Sequence, residues 1–180
     1  MSGLPGVVIV TGASAAGKST VAEALAQRIS PSVHLRGDAF RKMIVNGRAV
    51  MGAPLSPAAV AQLELRYAIA RAAARAYADA GFTVIYQDVI LGPYLAAAVA
   101  ALRDLSPGVV VLDPDAAAVA AREAGRGKSA YRGGLTPDAM VEGLRAETPR
   151  LGLWLDTSGM TVAETVDAIL ARTDETRAGV

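Results

Sequence analysis

Gly12-Ala13-Ser14-Ala15-Ala16-Gly17-Lys18-Ser19 follows the β-branched run Val7 to Val10 and precedes residues that read as a helix. The stretch matches the Walker A pattern in the strand–turn–helix setting that the pattern requires. Small residues let the main chain curl until successive N–H groups face one anion. The helix that follows adds its free N–H groups and positive dipole end. The reading therefore wraps a polyphosphate with Gly12, Ala13, Ser14, Ala15, Ala16, Gly17, Lys18, Ser19 and Thr20. Lys18 bridges the β- and γ-phosphates in this arrangement, and the Ser19 hydroxyl ligates the metal, so ATP and Mg²⁺ are the expected ligands. Chance would produce the pattern in about one such chain in a hundred or fewer. Lysine is also scarce here, Lys42 and Lys128 being the only others.

Outward from the loop, strands and helices alternate. Ser19 to Ile29 reads as a helix with Val21, Leu25 and Ile29 on one face. Val33 to Leu35 is a short strand, after which Asp38 stands where an N-cap would, ahead of Phe40, Met43 and Ile44. Asn46-Gly47 ends that helix, and Met51 to Pro57 is a loop. Ser56 caps an Ala-rich helix running to about Ala80, with Gly81 as its stop. Phe82 to Tyr86 is the third strand, closing at Gln87-Asp88. Tyr94 to Leu105 reads as helix, Val109 to Leu112 as strand, and Asp115 to Ala124 as helix. Pro137 to Glu147, Leu151 to Leu155 and Val162 to Ala171 then read as helix, strand and helix. The alternation predicts a three-layer α/β/α P-loop fold with a five-stranded parallel sheet. One domain is expected over residues 1–180, with a short Gly- and cation-rich lid at about 125–134.

Composition narrows the function. At 180 residues, 52% of them apolar, the chain can bury a sizeable core. Its net charge of +1 is spread out, which argues against a nucleic-acid partner. Without cysteine there is neither a disulfide frame nor a thiolate metal site. His34, the single histidine, cannot supply a His-rich site. No signal-peptide pattern is present, and apolar runs stop well short of the about 18 residues of a membrane span, so a soluble cytoplasmic protein is expected. Oligomeric state is left open.

The guanine-reading Asn-Lys-x-Asp motif of GTPases is absent, and the length leaves no room for the extra domains of ring-forming ATPases. The chain resembles the chloramphenicol phosphotransferase-like branch of small P-loop kinases, relatives of gluconate, shikimate and nucleoside monophosphate kinases. The residues carrying the likeness are Thr11 to Ser19, Arg36 to Phe40, Val84 to Pro93, Arg122 to Lys128 and Leu155 to Ser158. Ala15 stands where many small kinases have a second loop glycine, and the chloramphenicol-type enzymes also have a small non-glycine residue there. The resemblance implies ATP-dependent phosphorylation of a hydroxyl group on a small molecule. It points to an antibiotic such as a chloramphenicol-like compound, and so to a resistance enzyme.

Several residues are candidates beside the loop. Asp38 follows the second strand, where a carboxylate faces the P-loop and can take the acceptor's proton; the simpler alternative is a helix cap. Arg41, three residues on, shares its face and can steer a polar substrate, although such an Arg is more often solvated. Asp88 ends the third strand, the place of a Walker B carboxylate serving Mg²⁺ through water or touching substrate, or else a simple turn Asp. The resemblance puts an acidic residue where Gln87 stands. Arg122 and Arg126 are candidate cations over the phosphates, with Arg126 favoured for catalysis because Gly125 and Gly127 flank it; a basic surface loop is the alternative. Asp156-Thr157-Ser158-Gly159 resembles the adenine-lining loop of such kinases, which nominates Thr157 and Ser158, or else is an ordinary strand-to-helix turn. His34 is expected to be packed or hydrogen-bonded, Trp154 to be a core or interface ring, and most of Arg66, Arg71 and Arg75 to be exposed. Arg66 and Tyr67 are minor candidates for a substrate pocket.

Two other functions fit the same motifs. One is a nucleoside, nucleotide or polynucleotide-end kinase, and the other is an ATP-dependent binding or switch module without an acceptor. Asp38 and the Arg-rich segment argue against the last.

Overall fold

Val7, Val8, Ile9 and Val10 are all fully buried, as in a strand covered on both faces. The computed structural model describes residues 3–52, 54–125 and 136–178. Five strands, β1 (Val7–Gly12), β2 (Ser32–Arg36), β3 (Thr83–Gln87), β4 (Gly108–Leu112) and β5 (Leu153–Leu155), form a parallel sheet in the order β2-β3-β1-β4-β5. Around it lie α1 (Lys18–Gln27), α2 (Gly37–Lys42), α3 (Pro57–Asp79), α4 (Pro93–Ala101), α5 (Ala116–Ala124), α6 (Pro137–Glu147) and α7 (Val162–Ala171).

Alternation along β1 splits the core in two. Val7 and Ile9 join Tyr67 and Ala70 of α3 and Leu95 of α4 on one face. Val8 and Val10 meet Val21 and Leu25 of α1 and Val166 and Ile169 of α7 on the other. The period of two in the strand thus builds the three layers.

Register decides where the site falls. Gly12 pairs with Leu112, so β1 ends level with β4, while Val10 pairs with Gln87, so β1 runs two residues past the end of β3. The chain leaves β1 toward β2 on one side and later crosses to β4 on the other. The crevice beyond the carboxyl ends of these strands is where ligands bind in open α/β sheets.

Most element boundaries fall within one or two residues of expectation, and Ser56 caps α3 by accepting the Ala59 N–H at 3.2 Å. Three differ. Asp38 does not cap α2: Arg36 holds that position without a side-chain bond, and Asp38 lies in the first turn. The same helix stops at Lys42 rather than at Asn46-Gly47. Helix α4 ends at Ala101, and a single 3₁₀ turn (Arg103–Leu105) replaces its expected last turn. The expected lid at 125–134 lies outside the described residues beyond Gly125, and with it Arg126 and Lys128.

Candidate active site

The loop between β1 and α1 has the conformation its small residues permit. Gly12 sits at φ +145°, and a Cβ there would lie 2.4 Å from the Leu112 carbonyl oxygen, so no side chain fits. Ala15 adopts the left-handed region at φ +63°, at a cost of about 1–2 kcal/mol for an L-residue. Val119 of α5 and Val141 of α6 pack beneath Ala13 and Ala15, which braces the strained turn. Lys18 is buried, and its Nζ donates to the Ala13 carbonyl oxygen at 2.7 Å, folding the side chain over the loop. The Ser19 hydroxyl donates to Gln87 Oε1 at 3.1 Å.

A polar cleft of about 320 Å³ opens over this loop, with Lys18, Ser19, Asp38, Arg41, Gln87 and Asp88 on its walls. Sheet order brings these distant residues together, because β2 and β3 deliver Asp38, Gln87 and Asp88 to the edge where β1 delivers the loop. The Asp38 side chain is 37% exposed, and its Oδ2 accepts from Lys42 Nζ at 2.5 Å. Desolvation works to raise the Asp38 carboxyl, but Lys42, Arg36 and Arg66 outweigh it and hold the group below its ordinary value. Arg41 donates from Nη2 to the Ala49 carbonyl at 2.8 Å, which turns it along the segment after α2.

Asp88 is 1% exposed. Its Oδ1 accepts the Val89 N–H at 2.8 Å and meets Arg66 Nη2 at 3.1 Å. Burial pushes this carboxyl up to about 6, against the pull of Arg66, the Val89 N–H and Lys18. The other oxygen, Oδ2, is buried with no hydrogen-bond partner among the described residues. It lies against Gly37, where an added Cβ would come within 2.1 Å of it. Arg66 is the inward-drawn one of the α3 arginines: its side chain is 10% exposed and pairs with Asp88. Residues spaced along a helix gave no sign of this, since the partner lies on another element. Arg75, by contrast, is partly exposed and pairs with Asp104.

The residues fit a hydrated Mg²⁺, which takes oxygen ligands and keeps several waters. The Ser19 hydroxyl, Gln87 Oε1 and the orphaned Asp88 Oδ2 are the oxygens available. Gln87, the neighbour in contact with Ser19, is neutral, so a phosphate-borne ion suits this site better than one held by protein alone.

On the opposite side of the loop, Ala16, Thr20, Val21, Arg122, Thr157 and Met160 are among the residues lining a second cavity of about 320 Å³. Arg122 donates to the Ala16 carbonyl at 3.3 Å and to the Thr157 carbonyl at 2.5 Å, tying the phosphate loop to the segment after β5. Thr157 Oγ1 is buried and has no hydrogen-bond partner among the described residues. Ser158 lies off this wall; its Oγ donates to Asp156 at 2.5 Å and accepts the Asp115 N–H at 2.8 Å, which holds the loop in shape.

A third cavity, of about 470 Å³, adjoins the polar cleft and shares Ser14, Arg66 and Val89 with it. Its other walls are mostly apolar and include Met51, Leu63, Tyr67, Leu91, Tyr94 and Met140. Tyr67 donates its hydroxyl to the Val89 carbonyl at 2.5 Å and stacks at a tilt on Tyr94, with ring centres 5.5 Å apart. Arg66 and Tyr67 both line this cavity. His34 lies away from these cavities, its Nδ1 2.6 Å from Glu23. Arg150 covers the Trp154 ring at 3.9 Å.

A family model described as an AAA domain matches residues 7–151. No curated protein sequence matches the chain. Among solved structures, the tunicamycin resistance protein of Deinococcus radiodurans superposes with a TM-score of 0.68 at 18% identity, covering 98% of this chain and 99% of that one. The Mycobacterium tuberculosis APS kinase CysC, in complex with AMPPNP and APS, gives 0.66 at 20% identity, with 93% and 96% covered. A sugar kinase from Janibacter sp. HTCC2649 gives 0.63 at 21% identity, with 94% of each chain covered. At these identities the likeness establishes the fold, that of a P-loop kinase.

Proposed function

The chain belongs to the AAA domain family, and on that premise we propose that it is an ATP- and Mg²⁺-dependent phosphotransferase acting on a hydroxyl group of a small molecule, of the chloramphenicol phosphotransferase-like kind. One observation carries the reading. The cleft that holds Lys18, Ser19 and Asp38 adjoins a separate, mostly apolar cavity and shares Ser14, Arg66 and Val89 with it, which suits the meeting of a phosphate donor and an organic acceptor.

In this reading the backbone from Gly12 to Thr20 binds the triphosphate, and the base lies by Arg122 and Thr157. Lys18 leaves the Ala13 carbonyl for the β- and γ-phosphates. Ser19, with Gln87 and Asp88, would hold Mg²⁺, which would supply compensation for the phosphate charge. The acceptor oxygen forms a bond to the γ-phosphorus while the bond from that phosphorus to the β-bridging oxygen breaks, and ADP leaves. Asp38 takes the acceptor's proton as the new bond forms. Arg41 and Arg66 face the polar cleft and stabilise charge spreading over the phosphoryl oxygens, with Arg126 assigned to the same role. Most of the rate then comes from positioning and electrostatics.

The test is incubation with ATP, Mg²⁺ and a library of hydroxyl compounds, read by mass spectrometry for phosphorylated products. A product that forms with the wild type and disappears with Lys18→Ala supports the reading. Nucleotide binding that alters a partner protein's affinity, with no product from any acceptor, would support the switch-module alternative instead.

A further inference from the structure

Helix α3 is apolar on two sides. Its inner stripe, with Leu63, Tyr67, Ala70 and Ala74, belongs to the core that includes Val7 and Ile9. On the opposite side Ala61, Leu65, Ala68, Ile69, Ala72 and Ala76 recur at helical spacing and stand in water, with Leu65 52% and Ile69 39% exposed. A surface helix normally turns a polar face outward, and one that is apolar all round is covered all round. One flank of the outer stripe carries Glu64, Arg71 and Arg75. Arg75 is bonded to Asp104, whereas Glu64 and Arg71 form no ion pair among the described residues.

We propose that the outer face of α3 binds a second copy of this chain, in an antiparallel two-fold contact centred between Ala68 and Ile69. Such a contact requires a surface that complements itself. Turning α3 about an axis at that point sets Leu65 against Ala72 of the second copy, Ile69 against its Ala68, and Ala61 against its Ala76. Each large side chain meets a small one, which lets the two helices approach to about 8–10 Å. An antiparallel pair also keeps each flank opposite its own image. Glu64 then comes within reach of Arg71 of the second copy, and Arg71 within reach of its Glu64, so that two reciprocal ion pairs form. A parallel pair instead sets that flank against the one carrying Gln62 and Ala73, where the charges stay unmatched. The stripe from Ala61 to Ala76 covers about 22 Å of helix. That is a contact at the small end of specific interfaces, so the dimer dissociates on dilution. Helix α3 thus faces the apolar cavity with Arg66 and Tyr67 and the second copy with Leu65 and Ile69.

The test is sedimentation velocity on the full chain across about 2–200 µM protein, with folding of each variant checked by circular dichroism. The wild type is expected to move from the 18.4 kDa of one chain toward twice that mass. Leu65→Lys should hold the chain monomeric throughout. Glu64→Arg and Arg71→Glu each set like charges together and should weaken the dimer by about tenfold or more. Mixed one to one, these two variants restore both ion pairs between unlike chains, and the dimer should return at wild-type strength. Recovery in the mixture requires the reciprocal antiparallel contact, which neither misfolding nor a change of net charge imitates. A wild type that stays monomeric at the highest concentration overturns the proposal and leaves the face to a different protein. A dimer that Leu65→Lys leaves intact lies on another face and overturns it too, as does a mixture no tighter than either variant alone. None of these outcomes involves phosphoryl transfer, so the kinase reading stands or falls separately.

Discussion

Thr11 and Ile90 bond to each other twice: the Thr11 hydroxyl donates to the Ile90 carbonyl at 2.9 Å and accepts the Ile90 N–H at 2.9 Å. Both residues are fully buried. The pair ties the end of β1, just before the phosphate loop, to the segment that leads from Asp88 toward the mostly apolar cavity. Thr11→Val keeps the shape and leaves one buried donor and one buried acceptor unsatisfied. A loss of about 1–3 kcal/mol is expected, read from denaturant midpoints. A change within experimental error would mean that the tie is dispensable.

Gly37 is required by its neighbour. A Cβ on it would overlap Asp88 Oδ2 at 2.1 Å, and both sides are buried. Gly37→Ala should cost about 1–3 kcal/mol through overpacking. It should also loosen Arg66 from Asp88. An alanine variant as stable as the wild type would show that Asp88 can move at no cost.

Asp38→Asn is expected to lower kcat by about 10²-fold or more while ATP affinity stays nearly unchanged. The pH dependence has a definite sign. A base must be ionised, and the Asp38 carboxyl is held below its ordinary value of 3.8, so it stays charged and imposes no acid limb between pH 5 and 8. Lys42→Met removes the main downward influence, and any acid limb due to Asp38 should then move to higher pH. A pH–rate profile of Lys42→Met shifted the other way would sink the base assignment.

Arg122 bonds the Ala16 and Thr157 carbonyls on either side of the cavity they line and touches no phosphate-loop N–H. Arg122→Ala should therefore weaken ATP by about tenfold and leave inorganic tripolyphosphate nearly unaffected. Titration calorimetry with both ligands checks this. Equal losses would move Arg122 from the base to the phosphates.

Much of the fold was legible because its signals are local. The phosphate loop is contiguous, so the residue types that let a backbone curl also announce where it curls. Pro137–Glu147 and Val162–Ala171 were readable to the residue, each starting after a threonine cap. The candidate site was legible only in part. Asp38 offered a cap position by spacing, yet its neighbour one turn on, Lys42, claims the carboxylate. Arg66 stands on an Ala-rich helix among other arginines, a pattern that reads as solvated. Its burial depends on Asp88, 22 positions away on a different element.

Sequence alone determined that this chain winds a parallel sheet and cradles a polyphosphate, because periodicity, caps and a glycine turn act over a few consecutive residues. Only the tertiary structure decided which charges meet. The strand order β2-β3-β1-β4-β5 brings Asp38, Gln87 and Asp88 to the loop, and the packing of α3 seats Arg66 on the carboxylate. Electrostatic pairing depends on distance through space, which no local pattern of residues encodes.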